Sequence, residues 1–347
     1  MEHGSKRGYP LNNPCFIRVS SVAKLSVPAW GRLVAMACLV GVALSPPASA
    51  QQPSAWQGKT ATQWAEKLSD PDMRVRWYAT YALGQYGPQA AAAVKPLRKV
   101  LENRPEQEYV RAGAAWALGR IGPAAAAAEP LLQETLASTL ISVRRNSAEA
   151  LGNLGAAAKP AVPALLKALG DPDSGVSANA AVALWKLKKH PKALPALVAL
   201  LDKGTDAAPL QAAEALRSFG TEPDAIAALV GALAHRDADV RRAAARSLGQ
   251  IGAAALPALE KALRGEDQPA RLGAVEALGW MGAPAVPSLI AALKNDSPPV
   301  LRSAARALGR LGPAAKSAEP ALVEAVNDRY EEIRKAAAAA LSAIRAE

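Results

Sequence analysis

Cysteine and histidine are nearly absent from this sequence of 347 residues. Both cysteines, Cys15 and Cys38, and one of the three histidines lie in the first 50 residues, which leaves only His190 and His235 beyond them. The rest of the chain therefore has no disulfide and no thiolate that could act as a nucleophile or as a zinc ligand. Neither remaining histidine has a recognisable catalytic partner. We expect no metal site, no cofactor and no catalytic residues, so the chain is predicted not to be an enzyme.

Aromatic residues and strand formers are scarce, whereas alanine is abundant. Only 4% of the residues are aromatic, although 50% are hydrophobic. Alanine is the strongest helix former, and its small side chain lets helices approach closely. We therefore predict an all-α fold. The sequence also lacks a glycine-rich phosphate-binding loop, because its glycines recur at fixed places where they serve helix ends.

The first 50 residues differ from the rest of the chain. Five basic residues precede an apolar run at residues 33–44, and the segment ends in Ala48-Ser49-Ala50. This order of basic, apolar and small residues is typical of a secretory signal peptide. As a helix the apolar run would rise only about 18 Å, which is too short for a hydrocarbon core of about 30 Å. We predict a signal peptide at residues 1–50, cleavage after Ala50, a periplasmic or secreted protein, and no membrane span after cleavage.

The excess of basic residues is small once this leader is set aside. The chain has 41 Lys and Arg against 30 Asp and Glu, and the first 50 residues hold five and one of these, so the remainder has 36 against 29, or +7. A nucleic-acid-binding protein typically carries a concentrated basic stripe, which this charge does not reach. We therefore expect no nucleic-acid partner.

One motif returns along the chain: Leu-Gly, then any residue, an apolar residue and Gly. Successive motif leucines lie 30 to 35 residues apart. Such a period indicates a solenoid, in which one supersecondary unit stacks on its own copies. The full copies begin at Leu83, Leu118, Leu151, Leu248, Leu278 and Leu308, and degenerate copies begin at Leu184, Leu216 and Leu341.

Each repeat is predicted to form two helices. An acidic turn such as Asp171-Pro172-Asp173 caps the first helix, and an apolar anchor such as Val176 lies eight residues before the motif leucine on the same helical face. The glycine after the leucine lets a neighbouring helix pack against backbone, and the second glycine suits a helix end with left-handed dihedral angles. A second helix with an early proline follows. We count eight full units and a terminal half unit.

This unit resembles the HEAT repeat. The run Asp70-Pro71-Asp72-Met73-Arg74-Val75-Arg76, followed by an alanine-rich stretch, the glycine motif and a proline-containing second helix, is similar to the subclass called phycobilisome-lyase-type HEAT-like repeats. The resemblance implies an α-solenoid, a superhelix of about eight to nine two-helix repeats, over residues 70–347, with a capping helix at residues 51–69. It also implies an aspartate–arginine ladder between neighbouring repeats. Its candidates are Asp72, Asp173, Asp237, Asp239 and Asp267 with Arg76, Arg111, Arg144, Arg241, Arg271 and Arg334.

The fourth and fifth repeats depart from the pattern. Trp185 and Arg217 stand where the first motif glycine is expected, and Ser177 and Pro209 replace the arginine after the anchor. A bulky side chain at a close-packing position pushes helices apart. One hypothesis is a hinge or a partner site between residues 184 and 220. The alternative, which we favour, is drift in a repeat that tolerates change.

A row of residues on the second helices is the candidate partner-binding surface. The resemblance implies that second helices line the concave face, and one position in each is predicted to face solvent. Small residues at the centre and charged residues at the ends suit a partner's helix or loop. The charged members are Lys99, Glu134, Lys167, Lys261 and Glu324, and the small members are Ala199, Gly231 and Ala291.

The function expected from these features is a non-catalytic scaffold or adaptor that binds a protein partner, acts as a monomer and needs no cofactor. A rigid curved surface suits this role because it loses little entropy on association. Two other functions stay open. The lyase-type resemblance implies attachment or removal of bilin on light-harvesting proteins, which the predicted export argues against. Similarity to HEAT-like DNA glycosylases implies nucleic-acid binding.

Overall fold

The computed structural model describes residues 58–205 and 207–346. The predicted signal peptide, its cleavage site and the start of the predicted capping segment lie outside these residues. The described chain consists of α-helices joined by short 3-10 turns and loops, so the predicted all-α fold is confirmed. In this described part, no helix is both long enough and apolar enough to cross a membrane.

Nine helices are the first helices of their repeats. With helices numbered in chain order, these are the even-numbered ones, and each carries the motif leucine near its C-terminal end. They are α2 (Met73–Tyr86), α4 (Glu108–Ile121), α6 (Ile141–Leu154), α8 (Ser174–Lys188), α10 (Ala208–Leu216), α12 (Ala238–Ile251), α14 (Gln268–Met281), α16 (Pro298–Leu311) and α18 (Glu331–Arg345).

Nine odd-numbered helices alternate with them in the described residues. The first, α1, precedes the first repeat, and α18 follows the last odd-numbered helix, so eight complete units are framed by two single helices. The odd-numbered helices are α1 (Ala61–Glu66), α3 (Val94–Glu102), α5 (Glu129–Thr135), α7 (Val162–Ala168), α9 (Ala193–Lys203), α11 (Pro223–Ala232), α13 (Leu256–Leu263), α15 (Val286–Ala292) and α17 (Glu319–Ala325).

Leucine and alanine side chains build one continuous core. The motif leucines from Leu83 to Leu308 have no exposed surface, and Leu341 in the terminal half unit is 8% exposed. Burying one such side chain contributes about 1.5–3 kcal/mol. The core runs from Trp64 in α1 to Ile344 in α18. Each repeat therefore depends on its neighbours for the cover of its apolar surface.

The first motif glycine brings successive even-numbered helices into backbone contact. A Cβ atom on Gly119 would lie 2.7 Å from the Cα atom of Ala150, and one on Gly152 would lie 2.9 Å from that of Ala183. Each of these alanines directly precedes the motif leucine of the next repeat. The Leu-Gly pair of one repeat thus packs on the Ala-Leu pair of the next, which is the close approach that the sequence predicts.

The second motif glycine ends the even-numbered helix in a conformation that only glycine adopts readily. Gly122 has φ 71° and ψ −140°, and Gly155 has φ 63° and ψ −137°. The positive φ is as predicted, but ψ lies far from the left-handed helical value of about +47°. Lys189 is the residue with a left-handed helical conformation, at φ 46° and ψ 48°, and it is the one non-glycine residue of the described part with positive φ.

The two layers of helices differ in how extensively their own members touch. Successive even-numbered helices, most of them 14 or 15 residues long, touch along much of their length, whereas the shorter odd-numbered helices make few contacts with one another. The expectation that the second helices line the concave face stays a prediction.

The irregular fourth and fifth repeats replace the glycine contact by an aromatic stack. Trp185 packs on Phe219 with 4.7 Å between ring centroids, and the Nζ atom of Lys189 lies 5.2 Å from the Trp185 ring. The helix α10 has 9 residues, whereas α6 has 14. The interruption thus lies where the sequence predicts it, and motion at this place stays a prediction.

Candidate interaction surface

The even-numbered helices present a strip of side chains to solvent, which we call the even-helix face. Three positions in each repeat contribute to it, namely six and two residues before the motif leucine and two residues after it. Positions four apart lie one helical turn above each other on the same side. In the second repeat these residues are Ala112, which is buried, Trp116 and Arg120, and in the eighth they are Arg302, Arg306 and Arg310.

The first two repeats carry an aromatic cluster on this face, formed by Trp77, Tyr81 and Trp116 with Tyr78 beside Trp77. The rings of Tyr81 and Trp116 stack with 5.6 Å between centroids, and those of Trp77 and Tyr81 stack at 6.3 Å. Tyr78 and Tyr81 are 47% and 37% exposed. Aromatic side chains give a large contact area at a low cost in conformational entropy, so this cluster is suited to binding.

The third repeat is polar at all three positions of this face. Glu149 on α6 is half-buried, and burial raises the pKa of its carboxyl group despite two nearby basic side chains. Asn146 and Asn179 donate hydrogen bonds of 2.8 and 3.0 Å from Nδ2 to backbone carbonyl oxygens of the preceding even-numbered helix. These bonds join successive helices across the strip and hold it in a fixed shape.

The last repeats form a basic zone. Arg242 and Arg246 lie one turn apart on α12, and α16 carries an arginine on each of three successive turns. The Arg246 guanidinium lies 5.1 Å from the ring of Trp280, which is 52% exposed on α14. Two cavities of about 1000 and about 650 Å³ open on this zone, and both are lined by Arg306 and Arg310.

The five charged residues predicted to bind a partner lie on the other layer. Lys99, Glu134, Lys167, Lys261 and Glu324 are all exposed on odd-numbered helices. Lys99 borders a cavity of about 470 Å³. The Oε1 atom of Glu134 lies 3.7 Å from a guanidinium of the loop before α4. The row is therefore exposed as expected, and its charges change sign along the solenoid.

The arginine ladder is present, with carboxylates other than those expected. Arg144 donates from Nε and Nη2 to the two carboxylate oxygens of Asp171, at 2.8 and 3.0 Å, and from Nη1 to a backbone carbonyl oxygen of its own loop. Arg76 and Arg144 thus join the loop before their own helix to the loop before the next repeat. The pairs between repeats are Arg76–Glu106, Arg144–Asp171 and Arg271–Asp296.

The other three candidate arginines bind backbone groups. Arg111, Arg241 and Arg334 each donate to a carbonyl oxygen of the segment before their own helix, at 3.1, 2.7 and 2.9 Å. They fix the position of that segment relative to the even-numbered helix. The recurring arginine is therefore a structural residue that accepts either a carboxylate or carbonyl groups as partners.

Three of the candidate aspartates cap helices. The side chains of Asp72, Asp173 and Asp237 accept hydrogen bonds from backbone N–H groups of the helices that they precede, as the sequence predicts. Asp72 does not join two repeats, because its carboxylate binds Arg74 in its own helix.

Asp173 and the two remaining aspartates, Asp239 and Asp267, differ in their contacts with neighbouring side chains. Asp173 also reaches the preceding repeat, where it accepts a hydrogen bond of 2.9 Å from Nη2 of Arg145. Asp239 pairs within its own helix with Arg242. Asp267 stands at the N-terminus of α14 and makes no capping hydrogen bond with its side chain. Only the first of these three contributes to contacts between repeats.

This geometry of stacked helix pairs agrees with a family comparison. The family described as HEAT repeats matches residues 61–133, 128–217, 207–279, 226–309 and 286–347. These matches span nearly all of the described chain. The protein therefore belongs to the HEAT repeat family, whose solenoids typically bind protein partners. A comparison with curated proteins finds no match.

Several solved structures share the repeated helical hairpin. Yeast importin-beta (Kap95p) is 15% identical over 82% of this chain and 45% of its own, with a TM-score of 0.47, so this chain spans less than half of its length. The CpcE–CpcF complex of phycocyanin lyase from Nostoc sp. PCC7120 is 26% identical over 70% of this chain and 92% of that chain, with a TM-score of 0.44. Human deoxyhypusine hydroxylase is 23% identical over 83% and 96%, with a TM-score of 0.34. With TM-scores below 0.5, these likenesses decide nothing about function.

Proposed function

We propose that this protein is an exported, monomeric and non-catalytic scaffold that binds a protein partner through its even-helix face. The observation that carries this proposal is the strip of side chains on the closely packed layer of even-numbered helices. Membership of the HEAT repeat family supports a scaffold function, since solenoids of this kind offer extended binding surfaces. The predicted signal peptide supports a periplasmic or secreted location.

Binding in this proposal depends on preorganisation. The glycine–alanine contacts, the asparagine bonds and the arginine ladder hold the face in one shape before a partner arrives, so little conformational entropy is lost on binding. The aromatic cluster at one end and the basic zone at the other supply two chemically different contact areas. A partner that spans both would be selected by its apolar and its acidic surface together.

Nucleic-acid binding is less well supported by the same face. Glu149, Glu214 and Glu276 occupy the position two residues before the motif leucine in the third, fifth and seventh repeats. Their carboxylates interrupt the strip at regular intervals, and a phosphate backbone would meet them at close range. The bilin function has no specific observation of this structure in its favour.

Site-directed photo-crosslinking tests the proposal. A photoreactive amino acid is placed at Tyr81 and Gln250 on the even-helix face, and at Lys99 and Lys261 on the odd-numbered helices as matched exposed controls. In extracts of the producing cell's periplasm or medium, we expect one protein to be crosslinked from the first pair and not from the second. Crosslinking from the odd-numbered helices alone would contradict the proposal and favour the row of second-helix residues.

Export and oligomeric state are tested separately. Sequencing the N-terminus of the protein recovered from periplasm or medium should give Gln51 as its first residue, and light scattering of that protein should give the mass of one chain. Retention of an uncut chain in the cytosol would refute the proposed location. A dimer mass would refute the monomer.

A further inference from the structure

The basic zone of the even-helix face forms a groove across α12, α14, α16 and α18. The two cavities described above meet at Arg306 and Arg310, which divide the groove along α16. The lining includes apolar surface on both sides of this row, from Leu272 and Trp280 on α14 and from alanines on α18. The groove thus combines a basic wall with an apolar floor.

Part of the positive charge in this groove is not balanced within the chain. Two arginines of the zone are paired with neighbouring carboxylates. Arg246, Arg306 and Arg310 have no carboxylate partner among the residues that the structure describes. Arg306 and Arg310 are exposed on successive turns of one helix, about 6 Å apart along its axis. Planar guanidinium groups bind carboxylates with two parallel hydrogen bonds, which favours carboxylates as their ligands.

The spacing of the two arginines and the apolar floor of the groove indicate which kind of anion fits. In an extended peptide, side chains two residues apart point to the same side and lie about 6.6 Å apart, close to the spacing of the two arginines. An apolar residue further along the same side of such a peptide would contact Leu272 and Trp280. A phosphate chain would leave this apolar floor uncovered, whereas Glu276, which lines the same cavity, repels either anion.

We propose that the groove between α12 and α18 binds an acidic peptide segment in which carboxylates alternate with small or apolar residues. The inference rests on the proposed function, because it names the kind of segment that a partner would place on the even-helix face. Arg306 and Arg310 would hold two carboxylates on the same side of the peptide, and Trp280 would pack against a further side chain on that side.

The test measures binding of a defined probe to the chain from Gln51 onward. The probe is a fluorescein-labelled octapeptide of alternating glutamate and alanine, and its anisotropy is followed at low salt. The matched probe has glutamine in place of glutamate. We expect binding of the acidic probe only, and we expect it to weaken steeply with added salt, because the Debye length falls from about 30 Å at 0.01 M to about 10 Å at 0.1 M.

Substituted variants show where on the protein the acidic probe binds. The double variant Arg306→Gln/Arg310→Gln should weaken binding by about tenfold, since exposed ion pairs contribute up to about 1 kcal/mol each. The control Arg120→Gln removes the arginine that corresponds to Arg310 in the second repeat, and it should change binding less than twofold. Glu276→Gln should tighten binding by about threefold, a gain that unfolding cannot produce. Circular dichroism verifies that each variant is folded.

Three results would overturn the inference. The first is equal binding of the glutamate and glutamine probes. The second is an equal loss of affinity for the glutamate probe in Arg120→Gln and in the double variant. The third is tighter binding of a fluorescein-labelled octathymidylate than of the acidic peptide. In the first two cases, crosslinks from Tyr81 to a protein partner would leave the proposed scaffold function intact. The third case would favour a nucleic-acid partner instead.

Discussion

At the scale of single residues, the first motif glycine is the position where side-chain size decides stability. Gly119→Ala would place a methyl group 2.7 Å from the Cα atom of Ala150, which is backbone and cannot rotate away. We expect a loss of about 1–3 kcal/mol in the free energy of unfolding, because overpacking forces helices apart. Urea denaturation followed by circular dichroism measures this loss.

A second glycine provides the control for this prediction. Gly231 lies near the end of α11, and a Cβ atom there would have no neighbour within 4 Å. Gly231→Ala should stabilise the protein by about 0.5–1 kcal/mol, because alanine loses less backbone entropy in a helix than glycine. Equal effects of the two substitutions would mean that the close approach at Gly119 does not determine stability.

The half-buried Glu149 predicts a stability that depends on pH. Burial raises the pKa of its carboxyl group above the ordinary value of 4.5, so the native state binds the proton more tightly than the unfolded chain does. Stability contributed by this group is therefore present below pH 4.5 and is lost as pH rises through the native pKa. Glu149→Gln should raise the melting temperature at pH 7, and this advantage should vanish at pH 4.

Glu214→Gln is the matched control for this effect. Glu214 occupies the same position of the motif in the fifth repeat, where it is exposed. Its replacement should leave the melting temperature unchanged at both pH values. An advantage of Glu149→Gln that is the same at pH 4 and pH 7 would show that ionisation of this carboxyl group is not its cause.

At the scale of elements, the ladder pair Arg144–Asp171 joins two repeats. The two side chains are only 13% and 10% exposed, and burial by itself would raise the pKa of Asp171. Hydrogen bonds from Arg144 and from the N–H group of Asp173 outweigh burial and hold that pKa below the ordinary 3.8. A lowered native pKa stabilises the fold above pH 3.8, and this contribution is lost as pH falls through the native pKa.

Asp171→Asn should therefore destabilise the protein by about 1–3 kcal/mol at pH 7, because it leaves a largely buried guanidinium without its charged partner. The difference between variant and parent should narrow as pH falls below 3.8. Asp237→Asn is the control, because asparagine caps helices as well as aspartate does, and it should cost less than about 0.5 kcal/mol. Chemical denaturation over a pH series measures both. A constant difference at all pH values would refute the role of the Asp171 charge.

The interruption at the fourth and fifth repeats is the place where the hinge and drift hypotheses differ. The glycine–alanine contact is replaced by the Trp185–Phe219 stack, and α10 is short, so a hinge would let residues 184–205 and 207–220 open more often than α6. Drift of a tolerant repeat, which we favour, predicts equal protection of these residues, α6 and α12 in hydrogen exchange followed by mass spectrometry. Faster exchange between the fourth and fifth repeats would instead support the hinge.

The sequence predicted these elements better than it predicted their contacts. Motif leucines and glycines recur at one period, and a period is visible without knowledge of any neighbour, so helix order and helix ends followed from it. The partner of Arg144 did not follow, because Asp171 and Asp173 are both turn aspartates two residues apart. Only the folded loop shows that the second caps the helix while the first turns to the preceding repeat.

At the scale of the whole molecule, the interaction surface was not visible in the sequence for a different reason. Trp280, Arg246 and Arg310 lie in three different repeats, and within any one repeat each occupies an ordinary solvated position. Stacking brings them to one groove. Both helices of each repeat are amphipathic, so the pattern alone did not show which layer carries the groove.

The stacked architecture also predicts how the effect of a destabilising substitution spreads along the solenoid. Leu151 is fully buried in the third repeat, so Leu151→Ala should cost about 2–5 kcal/mol through lost burial and the cavity left behind. Because each repeat contacts only its neighbours, hydrogen exchange should rise first in the second to fourth repeats and last in the eighth. Leu341→Ala in the terminal half unit, which has a neighbour on one side only, should cost less and should affect α16 to α18. Uniform acceleration over all repeats in both variants would mean that the chain unfolds as a single cooperative unit.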